Sequence, residues 1–78
     1  MEEINSQEKI VKEGTVKFYL DEKLFGFLID DETGEEIYIP VAGLIDEIKK
    51  GTQVYYTPSQ GSKGVEAIDV KLRRRKKH

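Results

Sequence analysis

The fold of this chain is decided by two short stretches, KLFGFLI at residues 23–29 and EIYI at residues 36–39. Both are short apolar runs bounded by acidic and turn-forming residues, a pattern typical of strands. The segment DETG at residues 31–34 separates them, and its glycine suits a position of positive φ. The acidic run at residues 30–36, DDETGEE, is therefore predicted to be a solvated turn that joins two strands.

The same rhythm continues on both sides of this pair. Five strands are predicted, at residues 14–20, 23–30, 36–39, 52–57 and 65–72. Pro40 and Pro58 are expected to end the third and fourth strands. Between those two strands, the spacing of Leu44, Ile45 and Ile48 predicts one short helical turn. Strands at about ten-residue spacing are typical of a small all-β barrel or sandwich.

Side chains alternate between the two faces of a strand, which predicts an inner and an outer set for the central strands. The predicted core residues are Leu28, Ile37 and Ile39. The predicted outer residues are Phe25, Phe27 and Tyr38. Exposed rings beside lysines can stack on the bases of a single strand. The alternative is that Phe25 and Phe27 are ordinary core residues, because apolar side chains face inward far more often than outward.

Length and composition narrow the class of protein. The chain has 78 residues, which suits one domain, and no cysteine, so a disulfide framework or zinc cluster is not expected. The single histidine is His78, and no set of nucleophile, base and orienting group stands out. We therefore expect no enzyme, no cofactor and no metal. Short apolar runs and an acidic N-terminus predict a cytoplasmic protein without a membrane span or signal peptide.

Charge is distributed unevenly along the chain. Residues 1–47 hold 13 acidic and 4 basic side chains, whereas residues 48–78 hold 2 acidic and 9 basic ones. We predict a flexible N-terminal arm at residues 1–12, a β domain at 13–72 and a basic tail at 73–78. The tail is a candidate phosphate contact, and the alternative is a disordered, solubilising end.

Several stretches, in order, resemble the bacterial cold-shock domain. Residues 23–27, KLFGF, look like the first RNA-binding motif of that family, K-G-F-G-F, and residues 37–41, IYIPV, look like the second, V-F-V-H-F. Residues 61–70 are similar to the closing G-x-x-G-P-Q-A-x-N-V of the family. The resemblance covers residues 13–72. It implies a five-stranded antiparallel OB-fold barrel that binds single-stranded RNA or DNA.

The resemblance also implies which residues contact nucleic acid. They are Lys17, Phe18, Lys23, Phe25, Phe27, Tyr38 and Lys63. The chain departs from the family pattern in three main ways: Pro40 stands in place of histidine, Val41 stands in place of phenylalanine, and the loop after the third strand is shorter and lacks the loop aromatic of the common bacterial forms. Leu24, in place of glycine, is a further departure. The first two departures remove stacking surfaces.

The function that the resemblance implies is that of an RNA chaperone with low sequence preference, acting without ATP. A monomer is expected, with no membrane and no small-molecule partner. The alternative is a degenerate cold-shock-like barrel that serves as a protein–protein interaction module. Pro40, Val41 and the acidic character of the domain favour this alternative, and exposure of Phe25 and Phe27 beside Tyr38 would favour nucleic-acid binding.

Overall fold

The computed structural model describes residues 10–62 and 64–73, and these residues form a closed barrel of five strands. The strands are β1 (Lys12–Leu20), β2 (Phe25–Asp30), β3 (Glu36–Pro40), β4 (Gln53–Gly61) and β5 (Gly64–Leu72). Their order around the barrel is β1-β2-β3-β5-β4. The predicted all-β, five-stranded OB-type barrel is confirmed. One pairing differs from the antiparallel expectation, because β3 meets β5 in parallel where Tyr38 lies opposite Glu66.

Several strand ends differ from the prediction by one to four residues. β2 begins at Phe25 because a tight turn precedes it, in which the amide of Leu24 donates to the Leu20 carbonyl at 2.7 Å. β4 continues through Pro58 to Gly61. The pairing of β1 with β4 ends at Tyr56, so Pro58 lies where β4 is paired with β5 alone. A proline is tolerated at such an edge position because its missing N–H is not needed on the open side.

One short helical turn does lie between β3 and β4, but not at the residues whose spacing predicted it. A short 3-10 helix, Val41–Gly43, comes earlier, and Leu44 then forms an isolated bridge with Val70 of β5. The amide of Ile45 donates to the Val70 carbonyl at 2.8 Å. A Cβ on Gly43 would lie 2.3 Å from the Ala67 carbonyl oxygen, so glycine allows this close approach to β5. The segment is therefore hydrogen-bonded to a neighbouring strand and does not form a helix at these apolar residues.

The hydrophobic core of the barrel is aliphatic apart from one tyrosine. Its buried residues are Val16, Leu28, Ile37, Ile39, Ile48, Val54, Tyr56, Ala67 and Val70. The predicted inward set is confirmed, since Leu28 and Ile39 are 0% exposed and Ile37 is 5% exposed.

The acidic turn is anchored in the barrel by its first residue. Gly34 has φ of 80°, as its place in the turn predicted. Asp30, however, is 1% exposed, which corrects the expectation of a wholly solvated turn. Its carboxylate accepts hydrogen bonds from the Tyr56 hydroxyl at 2.6 Å and from the amides of Glu32 at 2.8 Å and Thr33 at 2.9 Å.

The described structure extends slightly beyond the predicted β domain at both ends. β1 begins at Lys12, one residue before the predicted boundary. Arg73 donates its amide to the Gln53 carbonyl at 3.0 Å, and its guanidinium lies 3.2 Å from Asp31 Oδ2 and 3.4 Å from Glu13 Oε1. The first cation of the predicted tail therefore packs on the barrel. Residues 1–9 of the predicted arm and residues 74–78 of the predicted tail lie outside the described residues.

Candidate nucleic-acid interface

A β-bulge at Lys17 decides which way the first strand presents its aromatic side chain. Val16 pairs with Leu28 and Phe18 pairs with Phe27, so Lys17 has no opposite residue in β2. Without the extra residue, Val16 and Phe18 would share a face, and Val16 is 2% exposed in the core. The bulge therefore places Phe18 on the outer surface beside Phe27.

Four rings meet on this outer surface, which we call the aromatic face (Phe18, Phe25, Phe27 and Tyr38). The ring centroid of Phe27 lies 5.6 Å from that of Phe18 and 5.7 Å from that of Tyr38. Phe25 lies 5.9 Å from Tyr38 with the two rings nearly parallel, at 25°. All four side chains are half-buried and none belongs to the core cluster. The predicted outward orientation of Phe25, Phe27 and Tyr38 is confirmed.

Gly26 allows the strands that carry these rings to pack closely. A Cβ at this position would lie 2.2 Å from the Phe18 carbonyl oxygen and 2.7 Å from the Cα of Tyr19. No ordinary contact is that short, so a larger residue would push β1 away from β2. Gly26 thus holds Phe18 beside Phe25 and Phe27, a role that the sequence pattern alone did not assign to it.

The three predicted lysines are placed differently from one another. Lys17 borders the aromatic face, and its ammonium is paired with the carboxylate of Glu36 at the start of β3. Lys23 is exposed in the turn between β1 and β2. Lys63 lies outside the described residues. The partnership of Lys17 with Glu36 was not foreseen, because only the register of three strands brings residues 17 and 36 together.

The departures from the family pattern lie at the edge of the aromatic face. Pro40 is opposite Phe25 in the pairing of β2 with β3 and is half-buried. Val41 follows it and is 45% exposed. Leu24 is 54% exposed and adopts φ of 62°, a conformation in which glycine is favoured. The fold accommodates all three residues, but the edge formed by Pro40 and Val41 carries no ring.

Away from this face, the paired side chains of Asp30 and Tyr56 both have shifted pKa values. Burial is the largest influence on the pKa of Asp30 and opposes ionisation. The hydrogen bonds from Tyr56, Thr33 and Glu32 and the charge of Lys12 nevertheless hold that pKa below its ordinary value. Burial, and after it the hydrogen bond to Asp30, raises the pKa of the Tyr56 hydroxyl. This buried pair has a structural use, since it fastens the turn that leads into β3.

A metal-binding cluster and a membrane-spanning helix are both absent from the described part of the chain. Within residues 10–62 and 64–73, no group of three histidine, cysteine or acidic side chains is placed to hold a metal ion. No helix among these residues is long and apolar enough to cross a membrane.

Comparison with known proteins agrees with this geometry. The family model of the 'Cold-shock' DNA-binding domain matches residues 12–73. The cold shock protein CapB of Pseudomonas syringae pv. tomato is 33% identical over 63 residues, covering 76% of this chain and 90% of that protein. The cold shock-like protein CspA of Vibrio cholerae is 31% identical over 61 residues, covering 73% and 87% of the two chains. The cold shock protein CspC of Bacillus subtilis is 30% identical over 64 residues, covering 77% and 96%.

The match spans every strand of the barrel and all four rings of the aromatic face. The barrel, its outer rings and the similarity to proteins of several bacteria lead to the same assignment. This chain belongs to the cold-shock domain family and is a nucleic-acid-binding protein of the cold-shock type.

Proposed function

We propose that the protein binds single-stranded RNA or DNA by stacking unpaired bases on the aromatic face. One observation carries the proposal: four rings lie together on the outside of one sheet, with the centroids of neighbouring rings 5.6 to 6.3 Å apart. Rings arranged in this way can each offer an edge or a face to a base. A duplex would not fit this mode, because its base faces are already stacked on one another.

Low sequence preference follows from the chemistry of the same surface. Three of its four rings are phenylalanines, which have no hydrogen-bonding group with which to distinguish base edges. Every base has a π-face, so stacking tolerates any sequence. Selection between bases would then come from stacking strength, which differs only modestly among them.

Binding of single strands gives an RNA chaperone activity by mass action. A protein that binds the unpaired form of a strand and not the paired form shifts the equilibrium towards the unpaired form. We propose that the protein acts in this way as a cytoplasmic monomer, without ATP, catalysis, cofactor, membrane or small-molecule partner. Lys23 and Lys63 are proposed phosphate contacts, together with Lys17 once it leaves Glu36.

The affinity is expected to be lower than in members of the family with a complete second motif. Pro40 and Val41 replace two side chains that would extend the stacking surface. Each stacked base contributes about 1–3 kcal/mol in alanine substitutions. The loss of two such contacts would weaken binding by orders of magnitude, which also keeps open the alternative of a protein–protein interaction module.

The test is a titration of labelled oligo-dT and oligo-U, followed by fluorescence anisotropy, with a duplex of the same length for comparison. Phe27→Ala should weaken single-strand binding by about 1–3 kcal/mol, or about five- to 150-fold. Ile45→Ala is the matched control, because Ile45 is an apolar side chain, 59% exposed, outside the aromatic face. It should bind as the unaltered chain does.

Denaturant melts of both variants complete this test. Phe27 is outside the core cluster, so Phe27→Ala should cost far less stability than truncation of a buried residue. If the folded protein binds no single strand at all, the proposed function fails and the interaction-module alternative takes its place. An opening assay with a fluorescent RNA hairpin then tests the chaperone activity separately.

A further inference from the structure

Lys17 does not present its charge openly beside the aromatic face, because Glu36 already holds it. The ion pair crosses the outside of β2, since Ile29 of that strand pairs directly with Glu36. On the same outer surface, the next pair of opposite residues along β2 and β3 is Phe27 and Tyr38. The Lys17–Glu36 pair therefore borders the rings on which a base would stack, where the adjoining phosphate of the strand would lie.

We propose that Glu36 is an internal competitor of nucleic-acid phosphate for Lys17. The inference rests on the proposed function and adds the residue that sets its affinity and its dependence on salt. Carboxylate and phosphate oxygens are alternative acceptors for the same ammonium group. The Lys17 and Glu36 side chains are 51% and 46% exposed, so one acceptor can replace the other by side-chain rotation without any change in the barrel.

Competition between the Glu36 carboxylate and phosphate for Lys17 changes how strongly the binding affinity depends on salt. A lysine that neutralises a phosphate of a single strand releases condensed cations and adds about −0.7 to the slope of log K against log salt. When Lys17 leaves Glu36 to do so, the uncovered carboxylate attracts a cation back from solution. The two effects oppose each other, so Lys17 contributes little to the slope of the unaltered protein.

The experiment compares Glu36→Gln with Glu35→Gln in the full chain, using oligo-dT at several salt concentrations. Glu35 is the matched control, because it is the exposed neighbour in sequence and its substitution removes the same charge without touching Lys17. Glu36→Gln should bind about two- to fivefold more tightly than Glu35→Gln, the range that exposed ion pairs allow. Its salt slope should be steeper by about 0.7, whereas Glu35→Gln should keep the original slope.

A second pair of variants shows whether the effect passes through Lys17. In a Lys17→Met background, Glu36→Gln and Glu35→Gln should have equal affinities and equal slopes. Equal effects of the two substitutions in the unaltered background would overturn the inference, because net charge alone would then explain them. Weaker binding by Glu36→Gln would overturn it too, since the carboxylate would then be positioning Lys17 for the strand.

Failure of this inference can be distinguished from failure of the proposed function. If the unaltered chain binds single strands and Phe27→Ala weakens that binding, the function stands whatever Glu36→Gln does. If the unaltered chain binds no strand, both proposals are overturned together. Glu36→Ala is a second variant that should reproduce the behaviour of Glu36→Gln, and melting curves check that each variant is folded.

Discussion

Replacing Tyr56 by phenylalanine tests the buried contact that fastens the acidic turn to the barrel. The Tyr56 hydroxyl donates to Asp30 Oδ2 at 2.6 Å, and the two residues are 1% exposed. Tyr56→Phe keeps the ring in the core and removes only this donor. The carboxylate would retain the amides of Glu32 and Thr33 and the ammonium of Lys12, which lies 3.6 Å away.

The expected loss depends on the charge of Asp30. A hydrogen bond to a charged group contributes about 1.5–3 kcal/mol, whereas one between neutral groups contributes about 0.5–1.5 kcal/mol. At pH 7 the carboxylate is ionised, so Tyr56→Phe should lower the free energy of unfolding by about 1.5–3 kcal/mol. That is a large part of the stability of a domain of this size.

The pH dependence follows from the lowered pKa of Asp30. A carboxyl group with a lowered pKa in the folded state stabilises the protein above its unfolded pKa, ordinarily 3.8. This stabilisation is lost as the pH falls through the still lower folded value. Because Tyr56 is one cause of the lowering, the variant should lose less stability than the unaltered chain on acidification. The difference between the two proteins should shrink towards about 1 kcal/mol at low pH, where only a neutral hydrogen bond remains.

The assay is denaturant unfolding of both proteins between neutral pH and about pH 1, because a carboxyl group of lowered pKa is protonated in the folded protein only well below the ordinary pKa of aspartate. Tyr55→Phe is the matched control, because Tyr55 is the preceding residue in the same strand and is only half-buried. It should change the stability by less than about 0.5 kcal/mol. A Tyr56→Phe effect of the same size at both ends of the pH range would refute the argument that the bond is made to an ionised carboxylate.

Three further predictions concern the edge of the aromatic face and the tail. Leu24→Gly should raise the free energy of unfolding by about 0.5–1 kcal/mol, because relief of the positive φ outweighs the greater flexibility of glycine in the unfolded chain; a denaturant melt in which the variant is less stable would contradict this. Pro40→His should strengthen oligo-dT binding, since it returns a ring next to Phe25; unchanged or weaker anisotropy binding would show that this position does not limit affinity. Deletion of residues 74–78 should flatten the salt slope by about two units, as four cations are removed, while Arg73 remains on the barrel; an unchanged slope would assign the ionic contacts to the lysines of the domain.

The facing of the central strands could be predicted because it depends on a local rule. Residues Ile37, Tyr38 and Ile39 alternate between interior and exterior in any strand, wherever that strand lies in the fold. The same rule requires one of the adjacent Tyr55 and Tyr56 to face inward, and the structure shows that it is Tyr56. Resemblance to the family then added the closed barrel and the ring at Phe18.

Features that depend on the pairing of distant residues could not be predicted in this way. The spacing of Leu44, Ile45 and Ile48 indicated a helical turn, but hydrogen bonds to Val70 of β5 override that local preference. Asp30 was placed in a solvated turn, because nothing near it in sequence shows that Tyr56 will supply a buried donor. In both cases the deciding partner is about 25 or more residues away along the chain.

By itself, the sequence determined the number of strands, the positive φ at Gly34 and the separation of aliphatic from aromatic side chains, because each depends on neighbours within a few residues. The tertiary structure decided the bulge that turns Phe18 outward, the parallel contact of β3 with β5 and the ion pair between Lys17 and Glu36. These features arise only when strands are set in register and the barrel closes. A shift of one residue in that register would exchange the two faces of a strand, so the aromatic face belongs to the closed barrel as much as to its residues.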